Sequence, residues 1–227
     1  METTRVSLEK KVLSENDRIA ATLRDQLHQR GILCLNLISS PGSGKTSLLE
    51  CTLAGFHPAT RVGVLTGDIQ TDNDARRLAR YGFPVQQITT AGCCHLDARM
   101  IEKSLKLWNL DELDLLLIEN VGNLVCPASY DLGEEAKIVV LSVTEGEDKP
   151  LKYPATFHRA RAVIINKIDL LPYVPFDLEL AKRNVRAVNP DAEILETSCT
   201  TAAGLAPWRE WLQQAQAQAN TRQPAAV

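Results

Sequence analysis

The chain has 227 residues, an apolar content of 44% and a formal net charge of −3. This length suits one α/β domain with a sizeable core, and the charge, without a basic stripe, argues against a nucleic-acid-binding surface. No apolar run is long enough to cross a bilayer, and residues 1–11 lack the apolar segment of a secretory signal. We therefore expect a cytoplasmic protein, without a membrane partner, whose six cysteines are reduced thiols.

Short apolar runs alternate with amphipathic segments along most of the chain. Apolar residues on one face predict a first helix over residues 8–29, which ends at Gly31. Several later runs are apolar without alternation, as expected for strands buried on both faces of a sheet. The predicted strands cover residues 32–38, 61–67, 85–88, 113–118, 138–143, 162–165 and 193–195. The predicted helices that follow cover residues 46–54, 72–81, 95–107, 178–188 and 207–214.

The loop after the first predicted strand has the sequence SSPGSGKT at residues 39–46, which matches the phosphate-binding pattern G-x-x-x-x-G-K-S/T except at Ser39. Glycines let backbone N–H groups turn inward around a phosphate chain, and the next helix presents its own unpaired N–H groups. Lys45 would reach the β- and γ-phosphates, and the Thr46 hydroxyl would bind Mg²⁺. The predicted nucleotide-binding residues of this loop are Gly42, Ser43, Gly44, Lys45, Thr46 and Ser47.

The sequence NKID at residues 166–169 follows another predicted strand. In that position, downstream of a phosphate-binding loop, N-K-x-D indicates guanine recognition. The Asp169 carboxylate can accept hydrogen bonds from the ring N1–H and the exocyclic amine of guanine, whereas adenine presents an acceptor that it would repel. We therefore predict that GTP and GDP are the ligands. The predicted residues of the base pocket are Asn166, Lys167, Asp169, Ser198 and Cys199.

These motifs and the alternation of strand and helix predict an α/β fold of the P-loop NTPase type, a mostly parallel sheet with helices on both faces. We expect residues 1–30 to form an N-terminal helix that packs on the GTPase domain, and residues 31–215 to form that domain. Residues 216–227 are predicted to be a frayed tail. Ligands of such sheets bind at the carboxyl ends of the strands.

Acidic residues follow the ends of two predicted strands. Asp68 and Glu119 are predicted to bind Mg²⁺ together with Thr46, because this hard cation prefers oxygen ligands. Asp68 or Asp72 could position the attacking water, although capping of the next helix explains Asp72 nearly as well. A backbone N–H at Gly122 could bind the γ-phosphate and release it on hydrolysis. The predicted catalytic residues are Lys45, Asp68, Asp72 and Glu119.

Thiols and a histidine form a second unusual group, Cys93-Cys94-His95 and Cys126. Thiolate and imidazole are the ligands that softer divalent metals prefer. Cys126 lies seven residues after Glu119, which permits at most about 25 Å between them, so a metal held there could respond to the nucleotide. By spacing alone the signal is weak, because a free cysteine is commonly a small buried apolar residue.

Several longer segments, taken with these motifs, resemble the HypB family, the nickel-insertion GTPases of hydrogenase maturation. They are GDIQTDNDAR from residue 67, CHLDA from 94, ENVGNLVCPASYDLGE from 119, SVTEGEDKPLKY from 142 and INKIDLLPY from 165. The resemblance implies a GTPase that forms homodimers on GTP binding and helps load nickel into the hydrogenase large subunit, with other maturation factors as partners. It also implies that Cys94, His95 and Cys126 bind nickel or zinc.

The chain departs from many members of that family in two places. Residues 1–11 contain no Cys and no His, where a Cys-rich or His-rich nickel motif is common, and Cys93 stands where a small or polar residue is common. Our hypothesis is a GTP-hydrolysing metallochaperone that couples the nucleotide to dimerisation and metal binding. The alternatives are a metal-binding or storage module that uses GTP as a conformational ligand, and a related nickel-enzyme maturation GTPase. A small-molecule kinase is disfavoured by the NKID sequence.

Overall fold

The computed structural model describes the backbone of residues 4–90 and 92–221, and the side chains of residues 11–90 and 92–221. Seven strands form one sheet in the order β3-β2-β4-β1-β5-β6-β7, and every neighbouring pair is parallel. The strands are β1 (Leu33–Ser39), β2 (Val62–Asp68), β3 (Val85–Thr89), β4 (Leu115–Glu119), β5 (Ala136–Ser142), β6 (Ala160–Asn166) and β7 (Glu193–Thr197). The predicted α/β P-loop fold is confirmed.

Helices connect the strands and cover both faces of the sheet. They are α1 (Thr4–Gln29), α2 (Lys45–Ala54), α3 (Asn73–Ala79), α4 (Ala98–Leu105), α5 (Cys126–Ser129), α6 (Lys149–Lys152), α7 (Pro154–His158), α8 (Leu178–Val188) and α9 (Leu205–Thr221). Two 3₁₀ turns lie at Leu110–Glu112 and Ile168–Tyr173. None of the helices in the described ranges has the length and apolarity that a bilayer crossing requires.

The two faces of β1 carry different layers of the core, because successive side chains of a strand point to opposite sides. Leu33, Leu35 and Leu37 pack with residues of α2, α3 and α9. Cys34 lies in the layer that α1 and α4 cover. The helix α1 therefore contributes to the same core as the sheet, through buried residues that include Ala20, Leu23 and Leu27.

Several predicted helix boundaries were wrong. The helix predicted over residues 95–107 covers Ala98–Leu105, because the Asp97 side chain accepts a hydrogen bond from the Met100 backbone N–H (2.8 Å) and caps the helix there. The last helix, predicted over residues 207–214, covers Leu205–Thr221, and its Ala219 packs against the core layer of α9. Residues 222–227 of the predicted tail lie outside the described residues.

The order of the strands brings the predicted motifs to one edge of the sheet. The first strand lies between β4 and β5, and Leu37 is in register with Glu119. On the other side of β5, Ser142 is in register with Asn166. The phosphate-binding loop, the end of β4 and the NKID segment therefore meet where parallel strands end, which is the position expected for a ligand.

Candidate functional site

A cleft of about 420 Å³ lies at this edge of the sheet. Its wall at the phosphate-binding loop includes Gly42, Gly44, Lys45, Thr46 and Ser47, all predicted from the sequence. The backbone of Gly44 has φ +95°, and a Cβ there would lie 2.5 Å from the Asn166 side chain, so only glycine fits. Because residue 44 has no side chain, it leaves the backbone N–H groups of the loop uncovered in the cleft, as phosphate binding requires.

Lys45 is held in the cleft by the serine that departs from the usual motif. Its Nζ donates a hydrogen bond to the Ser39 hydroxyl (2.8 Å), and the residue is only 7% exposed. Burial lowers the pKa of Lys45, while the negative charge of Glu119 opposes that shift. A buried ammonium next to a row of loop amides is suited to an anionic ligand such as a polyphosphate.

The residues predicted to bind Mg²⁺ meet in this cleft, where Thr46 of the loop faces Glu119 at the end of β4. The Thr46 hydroxyl donates to Glu119 Oε1 (2.7 Å), and Glu119 Oε2 is buried and has no hydrogen-bond partner among the described residues. Burial raises the pKa of Glu119 to about 7, although Lys45 and the Thr46 hydrogen bond act in the other direction. An unsatisfied buried carboxylate oxygen beside a hydroxyl fits a hard cation, which would satisfy it.

Of the other two acidic residues predicted at the site, Asp68 lines the cleft and Asp72 does not. Asp68 lines the cleft, and its Oδ1 accepts hydrogen bonds from the backbone N–H groups of Gln70 and Thr71, both at 2.8 Å. Asp72 is exposed, pairs with Arg76 (2.9 Å), and does not contribute to the lining of the cleft. Its predicted part in catalysis therefore has no support from this geometry, and it lies next to the start of α3.

Sequence reasoning missed three charged residues of this region. Asp74 and Arg77, both on α3, line the cleft, and Arg77 makes an ion pair with Glu50 (2.6 Å). Glu145 accepts a hydrogen bond from the Ser43 hydroxyl (2.7 Å) and so supports the phosphate-binding loop. No local motif marks these residues, because their positions depend on how α3 and the loop after β5 pack against the first loop.

The residues predicted to recognise guanine are hydrogen-bonded to the phosphate-binding loop. Asn166 Nδ2 donates to the Ser43 carbonyl (3.0 Å), and Lys167 Nζ donates to the Gly42 carbonyl (2.7 Å). Lys167 adopts a left-handed backbone conformation with φ 65°, which turns the chain sharply after β6. The two motifs thus form one hydrogen-bonded unit.

Asp169 lies beside the loop after β7, as the sequence predicts. Its Oδ1 accepts a hydrogen bond from the Ser198 hydroxyl (2.6 Å), which orients the carboxylate. The Cys199 thiol lies 3.8 Å from Asn166 Oδ1, and burial raises its pKa to about 12. Ser198 and Cys199 therefore support the NKID residues, with Cys199 in its neutral thiol form.

The segment after β4 touches the phosphate-binding loop directly. A Cβ at Gly122 would lie 3.0 Å from the Pro41 Cα, so a glycine is needed for this approach. Glu119, Asn120 and Gly122 all line the cleft. Four residues after Gly122 the chain begins α5 at Cys126. We refer to residues 119–126 as the switch segment.

Cys94, His95 and Cys126 form a compact group of metal ligands, and we refer to it as the thiol–imidazole site. Their ligand atoms all lie within 4.8 Å of one another, with Cys94 Sγ 2.8 Å from Cys126 Sγ and 3.8 Å from His95 Nδ1. The two thiols are within hydrogen-bonding distance of each other, and this contact raises the pKa of the Cys126 thiol. Two thiols and an imidazole at this spacing suit a soft divalent cation.

The surroundings of the thiol–imidazole site favour metal binding by His95. Its ring stacks on the Tyr130 ring with centroids 3.8 Å apart, and burial lowers the pKa of His95, which favours the neutral imidazole that metals require. Cys93 is exposed, whereas Cys94 is half-buried. Cys93 is not a member of this ligand group.

The helix α1 connects the two loops that carry these ligands. Asn16 is 6% exposed, its Nδ2 donates to the Asp131 carbonyl (2.8 Å), and its Oδ1 accepts from the Ala98 N–H (2.9 Å). Arg24 makes an ion pair with Asp131 (2.5 Å). The helix α1 therefore contacts both segments that carry the ligands, through Asn16 and Arg24.

Known proteins resemble this chain in sequence and in fold. A family model described as "CobW/HypB/UreG, nucleotide-binding domain" matches residues 33–196. The hydrogenase maturation factor HypB of Azotobacter vinelandii is 49% identical over 208 residues, covering 91% of this chain and 68% of the relative. The factor of the same name from Escherichia coli K12 is 50% identical over 202 residues, covering 89% and 70%. The solved structure of HypB from Helicobacter pylori in complex with nickel is 41% identical, with a TM-score of 0.86, and the match covers 94% of this chain and 99% of that one.

Proposed function

The chain belongs to the HypB family of hydrogenase maturation factors, and on that premise we propose that it is a GTP-hydrolysing metallochaperone that helps insert nickel into nickel–iron hydrogenase. GTP occupies the cleft, with its phosphates on the loop amides and Lys45 and its base on Asp169. Nickel is the cargo, and it is held by the thiol–imidazole site. A similar protein of known structure is described as a complex with nickel, which supports this choice of metal.

One observation carries the proposal. The thiol and imidazole ligand atoms lie within 4.8 Å of one another, and one of the ligands, Cys126, ends the segment that begins at Glu119 in the nucleotide cleft. A change of that segment at one end can reach the other, because only seven residues connect them. The γ-phosphate would order the segment through Glu119 and the Gly122 N–H, and its release would relax it.

Hydrolysis would rely on positioning and on charge stabilisation more than on covalent chemistry. Mg²⁺ would be held by Thr46, Glu119 and Asp68, and it would neutralise charge on the phosphates. Lys45 and the loop amides would bind the β- and γ-phosphates in place, and Asp68 would orient a water at the open side of the cleft. The unpredicted Asp74 is another acid that lines the cleft, whereas Asp72 lies outside that lining.

The remaining assignments follow from family membership and ligand chemistry. Zinc is a second ion that two thiols and an imidazole accept. We propose a homodimer formed on GTP binding, with the hydrogenase large subunit and other maturation factors as partners. We place this activity in the cytoplasm, because two thiols 2.8 Å apart stay reduced and able to bind metal there.

Phosphate release under steady-state conditions tests the enzymatic part of this function. We expect turnover of GTP but not of ATP, and loss of turnover in Lys45→Ala, because the buried ammonium would bind the phosphates. The metal content of wild type and Cys94→Ala, measured by native mass spectrometry after nickel loading, tests the cargo site. Absence of GTP turnover in the presence of nickel would favour a metal-binding module that uses the nucleotide only as a ligand.

A further inference from the structure

One side chain in the switch segment anchors the loop that carries Cys94 and His95. The Asn120 Oδ1 accepts hydrogen bonds from the backbone N–H of Leu96 (3.2 Å) and of Val121 (2.9 Å). Leu96 is the residue next to His95. Asn120 is 1% exposed and lines the nucleotide cleft beside Glu119, so its position depends directly on the end of β4.

The same asparagine begins a buried chain of polar side chains that leads to the other loop. Asn120 Nδ2 donates to Asn36 Oδ1 (3.1 Å), and Asn36 Nδ2 donates to Glu134 Oε1 (3.2 Å). The Lys137 ammonium pairs with that carboxylate oxygen (2.6 Å). All four residues are buried, with at most 9% of any one exposed.

The far end of the chain lies at the segment that carries Cys126. Lys137 Nζ donates to the carbonyl of Tyr130 (2.8 Å) and lies 3.5 Å from the carbonyl of Pro127. Pro127 follows Cys126, and the Tyr130 ring stacks on His95. Both ligand loops therefore have their backbone positions set by hydrogen bonds that start from one residue of the nucleotide cleft.

We propose that Asn36, Glu134 and Lys137 are positioning residues that, with Asn120, transmit the position of the switch segment to the thiol–imidazole site. The inference rests on the proposed function, because it names the residues through which the nucleotide would alter metal binding. Asn36 is the informative member, since it contacts Asn120 and Glu134 but lines no part of the cleft and is not a metal ligand.

Physical considerations support a positioning role for these groups. Buried polar groups are unfavourable unless every partner is in place, and replacing a buried ion pair with apolar residues is often neutral or stabilising. Stability alone therefore does not account for such a chain. Fully paired buried networks also hold their members in one arrangement, and this one spans the three central strands of the sheet.

The test measures nickel affinity in two nucleotide states. Ni²⁺ is titrated against a chromophoric chelator with wild type and Asn36→Leu, each saturated with GDP or with a non-hydrolysable GTP analogue. The leucine has the same branched shape and number of side-chain heavy atoms as asparagine, and it removes both hydrogen bonds. In wild type, we expect the two nickel dissociation constants to differ by about 5-fold or more. In the variant, they should differ by less than about 2-fold.

The control is Asn189→Leu, which removes another buried asparagine. Asn189 donates to the carbonyls of Phe157, His158 and Ala160, and none of these hydrogen bonds goes to Asn36, Asn120, Glu134 or Lys137. We expect it to lower the unfolding temperature but to keep the wild-type ratio. If Asn36→Leu does not fold, the double variant Glu134→Gln, Lys137→Met removes both charges together and should likewise lose the ratio.

The possible outcomes separate this inference from the proposed function. If the nickel affinity depends on the nucleotide to the same extent in wild type and in Asn36→Leu, the inference alone is overturned. A wild type whose nickel affinity is the same in both nucleotide states overturns the inference and the proposed coupling together. A loss of the ratio in Asn189→Leu as well would show that general destabilisation is the cause, and it would also overturn the inference.

Discussion

The nucleotide cleft and the thiol–imidazole site are built in different ways. The cleft lies at the ends of strands, and its residues are already hydrogen-bonded to one another, as Asn166 is to Ser43 and Thr46 is to Glu119. The ligands of the thiol–imidazole site lie in a loop and at the start of the four-residue helix α5, and they are half-buried. The positions of these ligands depend on hydrogen bonds of nearby backbone groups, such as the Leu96 N–H and the Tyr130 carbonyl.

The difference between these two regions agrees with what each would have to do. A preorganised cleft can discriminate between nucleotides and bind phosphates without rearrangement. A site that accepts and releases a metal benefits from ligands on segments that can move relative to one another. The structure joins the hydrogen-bonded cleft to the half-buried thiol–imidazole site through the switch segment. Each of the following variants should affect one region and leave the other measurably unchanged.

The largest effect should follow from Asp169→Asn, which affects the nucleotide region alone. The amide cannot accept both hydrogen bonds of guanine, and two charge-assisted hydrogen bonds are worth about 1.5–3 kcal/mol each, so GTP affinity should fall by about 10²–10⁴-fold. Nickel affinity without nucleotide should not change. Equilibrium binding of a fluorescent GTP analogue measures the first effect. Retention of tight GTP binding would refute guanine recognition by Asp169.

The next largest effect should follow from Cys94→Ala, which affects the cargo region alone. Loss of a residue that only hydrogen-bonds a metal ligand weakens metal binding by about 10–100-fold. Loss of the ligand itself should weaken nickel binding at least as much. The matched control is Cys93→Ala, because Cys93 is exposed and outside the ligand group. Chelator competition measures both variants. Equal weakening by the two substitutions would refute the assignment of Cys94.

Glu119→Gln should show that the cleft holds an unfavourable charge. The pKa of Glu119 is raised from 4.5 to about 7 by burial, so its ionisation in the folded state makes wild type less stable as the pH rises from about 4.5 to 7. The glutamine variant does not lose stability in this way, because its side chain does not ionise. Its free energy of unfolding at pH 8, without nucleotide or Mg²⁺, should exceed that of wild type by on the order of 2–3 kcal/mol.

The dependence of the Glu119→Gln effect on pH and on Mg²⁺ provides its control. The difference in stability should nearly vanish at pH 5, where Glu119 is protonated in the folded protein. Mg²⁺ should increase the GTP affinity of wild type but not of the variant, because the amide is a poor ligand for this cation. Denaturant unfolding at the two pH values measures the first effect. A variant that is less stable than wild type at pH 8 would contradict the prediction.

The smallest effect should follow from Tyr130→Leu, which removes the ring stacked on His95. Such a contact is worth about 0.5–1.5 kcal/mol, so nickel affinity should fall by about 2–10-fold with no change in GTP affinity. Tyr173→Leu is the matched control, since Tyr173 is 81% exposed. Unchanged nickel affinity in Tyr130→Leu would indicate that His95 is oriented by its backbone alone.

The two regions also differ in how far the sequence could predict them. Residues 39–46 and 166–169 are contiguous motifs whose geometry follows from the strand and helix around them. The group of Cys94, His95 and Cys126 was weakly indicated by spacing and became specific only through the resemblance to a family.

Contacts between residues far apart in the chain could not be predicted from the sequence. Asn36 meets Asn120 and Glu134 across separations of 84 and 98 residues, and these contacts depend on the strand order and register. The same limit explains why Arg77 was missed as a cleft residue, and why the last helix, which packs through Ala219, was predicted to end at residue 214.

The most direct test of coupling between the two regions measures both directions of the linkage on the wild-type chain. Nickel affinity is determined with GDP and with a non-hydrolysable GTP analogue, and the affinity for each nucleotide is determined with and without nickel. We expect the two experiments to give the same factor, different from one, because coupling free energies are reciprocal. A factor of one in both directions would contradict the claim that the thiol–imidazole site responds to the nucleotide.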